Sequence, residues 1–195
     1  MEKKIYYFDK WGPSCTEKTL ELAKERFDEL GLDTVLIATS EGVTTVKALN
    51  YFKPSQIVCV TSMYGFLRPG EPRLTEENRK ILTDAGVRIV HNTHVLAGID
   101  RSVNRLWGGI TPVQLMSQCY KLIGEGVKVC VEIAVMAADA GGTPVDRDVM
   151  TIGGTGRGAD TAIVMKPAHS NNFFDMRFRE FVCMPSDRAP KMQPL

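Results

Sequence analysis

Apolar positions along the chain switch between two spacings. After Pro13-Ser14-Cys15-Thr16-Glu17, the residues Leu20, Ala23, Phe27 and Leu30 recur at helical intervals until Gly31, which predicts a helix running to about Leu30. Thr34-Val35-Leu36-Ile37-Ala38-Thr39 then forms a short continuous apolar run, the pattern of a strand buried on both faces of a parallel sheet. The same alternation predicts a helix over 44–51, a strand over 57–61, a helix over 75–85 closed by Gly86, and a strand over 87–90. Strands alternating with helices imply right-handed crossovers and a mostly parallel sheet.

From about 97 to 142 the rhythm changes. Residues 112–123 and 127–140 read as two helices punctuated by Gly124 and Gly126. A fourth core strand is expected over 148–152, and a fifth over 161–165 after a short glycine-rich link. So short a link cannot hold a crossover, so these two strands should be antiparallel neighbours. No repeat, low-complexity tract or second domain is visible, so 1–195 reads as a single α/β domain with a helical insertion at about 97–142. The tail after about Met184, with Pro185, Pro190 and Pro194, is expected to be loosely ordered or to pack on a partner.

Composition narrows the class. A 44% apolar and 24% charged chain of 195 residues is ordinary for a globular protein. A net charge of +1 gives no general attraction to nucleic acid or to an acidic membrane surface. No apolar run approaches membrane-spanning length, and the start lacks the features of a signal peptide. Five cysteines without a C-x-x-C pair suggest buried free thiols in a reducing compartment rather than disulfides or a zinc site, so a cytoplasmic location is expected.

In open α/β sheets, ligands bind beyond the carboxyl ends of the parallel strands. Here those ends read Thr39-Ser40-Glu41-Gly42, Thr61-Ser62-Met63-Tyr64-Gly65, His91-Asn92-Thr93-His94 and Gly153-Gly154-Thr155-Gly156-Arg157-Gly158. All four are rich in hydroxyls, amides or glycine, whereas the strands are apolar, which outlines a polar cleft along one edge of the sheet. The first is the most specific. Thr39, Ser40, Thr44 and Thr45 supply four hydroxyls in seven residues, Gly42 permits close backbone approach, and Val43 leads into a helix. Free N–H groups and the helix dipole there favour a phosphate. The competing reading is an ordinary N-cap by Ser40 or Thr44, but four hydroxyls exceed what one cap needs.

The 153–158 segment lacks the spacing of a dinucleotide fingerprint, and no Walker motif occurs. A flexible turn would explain its glycines; Arg157 in its middle adds a guanidinium suited to phosphate. His91 and His94, three apart at a strand end, should face opposite ways, so no joint metal site is expected, with His94 nearer a ligand and His91 structural. His169 is expected at the surface or a subunit contact, and Asp139, Asp146 and Asp148 on a solvated face. No G-x-S-x-G elbow, H-E-x-x-H motif or nucleophile–base pair is present, so catalytic residues are not identified. Tyr64 and Trp107 are aromatic residues in loop-like contexts that suit either stacking on a planar ligand or core packing.

The stretch Val35-Leu36-Ile37-Ala38-Thr39-Ser40-Glu41-Gly42-Val43-Thr44-Thr45, with 49–54 and 57–61 after it, resembles the C-terminal α/β domain of pyruvate kinase. In that domain a threonine/serine/glycine loop holds the phosphate of an effector sugar bisphosphate. Residues 150–167 resemble its last hairpin, whose glycine- and arginine-containing loop folds over the effector. With 16–51 included, the chain is most similar to free-standing prokaryotic, largely archaeal, proteins of this kind. The resemblance implies a three-layer α/β/α sandwich with a five-stranded sheet in the order 3-2-1-4-5, the last strand antiparallel. It also implies that flavin mononucleotide can be the ligand. Thr39, Ser40, Gly42, Val43, Thr44 and Thr45 would then hold the phosphate. Ser62, Met63, Tyr64, Thr93, His94, Gly153, Gly154, Thr155, Gly156 and Arg157 would form the walls. The kinase barrel, with its metal-binding carboxylates and catalytic lysine, has no counterpart here, so pyruvate kinase activity is not expected. A flavin-dependent oxidoreductase role, a sensor for a phosphorylated metabolite such as a sugar phosphate, and a purely structural or homo-oligomer assembly role all stay open.

Overall fold

Each expected core strand forms, and the register shows why its end matters. The computed structural model describes residues 2–187. Strands β2 (Val35–Thr39), β3 (Ile57–Thr61), β4 (Arg88–His91) and β5 (Val149–Gly153) run parallel, with β6 (Thr161–Lys166) antiparallel to β5. In the expected numbering these five lie in the order 3-2-1-4-5. The sheet nevertheless has seven strands, not five: β1 (Tyr6–Phe8) and β7 (Arg177–Pro185) extend it, giving β1-β7-β6-β5-β2-β3-β4. β7 pairs antiparallel with β6 and β1 pairs parallel with β7, so only β6 runs against the rest. Three-residue β1 is too short to show a period, and its partner lies 177 residues away, beyond the reach of a local pattern.

Two cores flank the sheet. On one face α1 (Thr16–Glu29), α2 (Val43–Ala48) and α3 (Glu76–Asp84) cover Val35, Ile37, Ile57, Cys59, Met150 and Ile152. Leu20, Ala23 and Phe27 are the buried stripe of α1, and Phe27 meets Phe52 edge-on at 5.3 Å. On the other face α6 (Glu125–Asp139) covers Leu36, Val58, Val149 and Ile163, and α5 (Pro112–Ile123) packs over α6. Sandwiched between sheet and helix, α6 is buried almost all round, which explains its nearly continuous apolar sequence.

The 97–142 region holds three helices rather than two, because α4 (Ile99–Trp107) precedes α5. Gly126 lies in the first turn of α6 instead of preceding the helix. α4 carries a helical stripe of Ile99, Val103, Leu106 and Trp107 that the sequence reading passed over, yet none of its residues is buried. The proline-rich tail falls partly within β7, where Met184 and Pro185 pair with β1 and Ser186 N–H donates to the Phe8 carbonyl. Pro190 and Pro194 lie outside the described residues.

β7 is tied down by charge as well as by its ladder. Its buried Glu180 takes a forked pair of hydrogen bonds from Arg26 of α1, at 2.9 and 3.0 Å, and one from Lys3 at 2.6 Å. Burial alone would raise the Glu180 carboxyl; these bonds outweigh it and hold the group below the usual range. Cys15, Cys59, Cys130 and Cys183 are buried free thiols as expected, but Cys119 is exposed on α5. Burial pushes the Cys59 thiol up to about 11 and those of Cys130 and Cys183 to about 12. Among the described residues, no helix is long and apolar enough to cross a membrane.

Candidate functional site

Strand order reverses between β2 and β5: β2 leads into α2 on one face of the sheet, whereas β5 is entered from α6 on the other, and a crevice is left above their carboxyl ends. A cleft of about 360 Å³ opens there. Its first lip is the loop after β2. Thr39 Oγ1 accepts a bond from Gly42 N–H at 3.1 Å, and Thr61 Oγ1 donates to the Ser40 carbonyl at 3.3 Å. The Glu41 carbonyl accepts from Asn78 Nδ2 at 2.9 Å and from Thr75 N–H at 3.3 Å, so the start of α3 clasps the loop from behind.

Gly42 turns the chain at φ +104°, and a Cβ there would stand 2.5 Å from Asn78 Cβ. Glycine is therefore required by both conformation and space. α2 starts directly afterwards, and no side chain caps it. Neither Ser40 nor Thr44 acts as the N-cap, contrary to the simpler reading of these hydroxyls. The first-turn residues Val43 and Thr44 line the cleft, and Lys47 joins them one turn later. Lys47 also holds Glu17 at 2.6 Å, and with the Tyr51 hydroxyl it lowers the Glu17 carboxyl below its ordinary value.

The second lip is the loop after β5, and a buried carboxylate fixes it. Asp160 is fully buried and accepts from Thr155 N–H at 3.0 Å, Gly12 N–H at 2.9 Å and Thr161 Oγ1 at 2.8 Å. Thr16 Oγ1 accepts from Ala159 N–H at 3.0 Å. Gly158, at φ +73°, lies so close to Pro13 that a Cβ would come within 2.6 Å of its Cα. The start of the chain thus becomes a third wall, with Pro13 and Thr16 facing the cleft. Arg157 reaches across the opening to Glu41 at 3.2 Å, an exposed pair that bridges the two lips.

The floor is apolar and the far end is polar. Val129, Ile133 and Met136 of α6 line it with Ala38 and Val60 from the strand ends. Beyond them Glu132, 4% exposed, accepts from Lys128 Nζ at 2.5 Å and from Leu96 N–H at 3.1 Å. His94 Nδ1 stands 3.7 Å from the same carboxylate. Burial pushes His94 below its ordinary value against the opposing pull of Glu132. Burial likewise lowers the Lys128 ammonium, opposed by Glu132. Arg73 lines the same end.

The chain matches the pyruvate kinase, alpha/beta domain, over residues 17–165. It belongs to that family. The matched segment carries both principal lips of the cleft and all of α6. Pro13 and Thr16, together with strands β1 and β7, lie outside it.

Of the residues expected at the site, Thr39, Ser40, Val43, Thr44, Ser62, His94, Gly154, Gly156 and Arg157 line one cleft. Gly42 and Thr45 shape it from beneath, Thr45 being fully buried against the Cys59 thiol. Gly153 is a buried strand residue, and Thr155 contributes its N–H to Asp160 instead. Met63 and Thr93 are not among the lining residues. Tyr64 points away as well: its ring packs on His91 at 5.0 Å and its hydroxyl accepts from Arg79 at 3.2 Å. His91 is held by Arg79 at 3.1 Å, apart from His94, and Trp107 is exposed on α4. His169 is half-exposed beside Asp139 at 3.5 Å, and Asp148 pairs with Arg179 at 3.0 Å.

Lys47, Arg73, Glu132 and the α6 stripe escaped the sequence reading. Lys47 was accessible to it, since a residue three beyond Thr44 shares its helix face. Arg73 and Glu132 arrive only through tertiary packing.

Proposed function

We propose that this protein binds a phosphorylated ligand in the cleft, with flavin mononucleotide the best fit. The observation that carries the reading is the uncapped start of α2, which opens into a lined cleft beside Lys47 and Arg157. Thr39 Oγ1 takes the Gly42 N–H, but no side chain supplies an acceptor to the N–H groups of Val43, Thr44 and Thr45 that follow, and an anion can. Thr39, Ser40 and Thr44 would add hydroxyl donors, and Lys47 and Arg157 the countercharge. The apolar floor of Val129, Ile133 and Met136 suits a planar ring, and His94 and Glu132 suit its polar edge. A volume of about 360 Å³ is in the range of small-molecule sites. A bound flavin would supply electron or hydride transfer, while the chain's residues bind, orient and exclude water.

A second reading, a sensor for a sugar phosphate, is favoured by the hydroxyls of Thr16, Thr61 and Ser62 around the cleft, which match sugar hydroxyls. A sugar phosphate that raises the melting temperature where flavin mononucleotide does not would select it.

The test compares flavin mononucleotide with riboflavin, which lacks the phosphate, in fluorescence titrations. Wild type should prefer the phosphorylated form by at least about tenfold. In Ser40→Asp and Lys47→Met that preference should collapse while riboflavin binding stays unchanged, which also shows that the variants are folded. Equal affinity for the two in wild type, or no binding of either, would sink the proposal.

A further inference from the structure

Lys128, Glu132 and Met136 are spaced four apart and so share one face of α6, which the loop carrying His94 crosses. That loop, between β4 and α4, is pinned at two points. Asn92 Nδ2 donates to the Met136 carbonyl at 3.0 Å, and Leu96 N–H donates to Glu132 Oε1 at 3.1 Å. Between them the His94 carbonyl accepts from Ala97 N–H at 3.1 Å. A Cβ at Gly98 would stand 2.9 Å from that same carbonyl oxygen, so the turn has little room to shift. Phe66 closes over the imidazole, the two rings 5.1 Å apart and tilted by 30°.

The other oxygen of Glu132 faces the ring. Oε2 lies 3.7 Å from His94 Nδ1 and takes the Lys128 ammonium at 2.5 Å. A loop pin needs one acceptor for Leu96 N–H, which a neutral glutamine would supply without taking two charges out of water. The buried ion pair therefore does more than pin the loop, and orienting the ring accounts for it. A carboxylate accepts and cannot donate, so the nitrogen turned toward it carries the ring's proton. Burial disfavours the doubly protonated ring, as do the charges of Lys128 on α6, Arg101 on α4 and Arg73 in the loop between β3 and α3. Glu132 alone opposes them. A neutral imidazole protonated at Nδ1 is bare at Nε2. Among the described residues nothing donates to that atom, and the 17% of the side chain that is exposed opens on the cleft.

We infer that His94 turns a bare Nε2 into the cleft as its hydrogen-bond and proton acceptor, with Glu132 as the positioning residue. The phosphorylated ligand then carries an acidic N–H or O–H, of the imide or enol class, on the part that reaches this end. Transfer breaks that N–H or O–H bond, forms Nε2–H and leaves the electron pair on the ligand, and the Glu132 charge stabilises the imidazolium produced. The acceptor role rests on the proposed ligand cleft and adds what the ligand must present opposite its phosphate. In flavin mononucleotide that group is the imide N–H of the ring, flanked by two carbonyls.

Long-range proton–nitrogen spectra of full-length, nitrogen-15-labelled protein read the tautomer directly, with His94→Phe identifying the His94 signals. In the free protein His94 should carry its proton on Nδ1. Glu132→Gln combined with Lys128→Met removes both charges of the pair together and keeps one acceptor for Leu96 N–H. There the Nδ1–H preference should disappear. A proton on Nε2 in wild type, or a preference that survives in the double variant, overturns the inference whatever the ligand is.

A second arm compares flavin mononucleotide with its N3-methyl derivative, which keeps phosphate and ring but lacks the imide N–H. Wild type should bind the parent at least about tenfold more tightly, with the Nε2 signal shifting only for the parent. His94→Phe keeps a ring beside Phe66 without an acceptor, and should bind the two alike while still preferring flavin mononucleotide to riboflavin. Equal binding of parent and derivative by wild type, with Nε2 unmoved, overturns the acceptor role and leaves the proposed function standing. Failure of both to bind overturns the proposed function instead, and the tautomer of the free protein then decides the acceptor role by itself.

Discussion

At the scale of single residues, the cleft juxtaposes a carboxylate with the place where an anion is proposed to sit. Glu41 lies in the phosphate loop itself and is bonded to Arg157 across the opening. A phosphate entering there competes with Glu41 for the guanidinium and is repelled by its charge. Glu41→Gln removes both effects, while the Glu41 main-chain carbonyl goes on holding Asn78 and Thr75. The Arg157–Glu41 pair is exposed, so losing it costs the fold no more than about 1 kcal/mol. Flavin mononucleotide should therefore bind Glu41→Gln roughly three- to fivefold more tightly, with riboflavin unaffected. An unchanged or weaker affinity in the same titration would mean that the phosphate does not approach Arg157. The hydroxyls of this lip were legible in the sequence because they lie within one turn of chain. Arg73 and Glu132 were not, since their place in the cleft depends on how the 62–74 loop and α6 pack over the sheet.

At the scale of elements, the sequence reading succeeded where an element buries its own periodic side chains and failed where a remote partner defines it or where, as in α4, the periodic side chains stay unburied. The buried runs of β2, β3, β5 and β6 announce themselves, as does the Leu20, Ala23, Phe27 stripe of α1. β1 does not, and neither does the pin that joins its following loop to the site. Asp160 sits one residue before β6 and looks like an ordinary turn residue. Only the fold brings Gly12 N–H to it across 148 residues. Asp160→Ala leaves two backbone N–H groups and the Thr161 hydroxyl without their acceptor in a buried position. That should destabilise the protein by about 2–4 kcal/mol in urea denaturation. Asp160→Asn, which keeps the shape and one acceptor oxygen, should fall between that variant and wild type. Both should also weaken flavin mononucleotide binding, because the 154–158 lip and the Pro13–Thr16 wall lose their common anchor. A stability loss with binding unaltered would mean that the pin serves the fold alone.

At the scale of the whole molecule, the mostly parallel sheet and its polar strand ends followed from the alternation of elements and the order of the five core strands from the family resemblance, but the outer surface did not. α4 is amphipathic yet buries none of its residues: Ile99, Leu106 and Trp107 are between 68% and 79% exposed. Ile110 follows them, and Leu115, Leu122 and Ile123 of α5 are more than half exposed. Together these side chains leave on the order of 1,000 Å² of apolar-rich surface open to water, against the ~800 Å² that each partner buries in a standard interface. A chain of net charge +1 offers little repulsion to a second copy of itself. We predict that this face joins two copies of the chain, as an isologous contact in which α4 and α5 of one meet those of the other. Light scattering should give twice the 21.6 kDa chain mass for wild type and the single mass for Trp107→Glu combined with Leu106→Glu. Neither residue lines the cleft, so the double variant should bind flavin mononucleotide as wild type does. A monomeric wild type at tens of micromolar would remove this face as a self-contact, and a dimer that survives both substitutions would move the interface elsewhere.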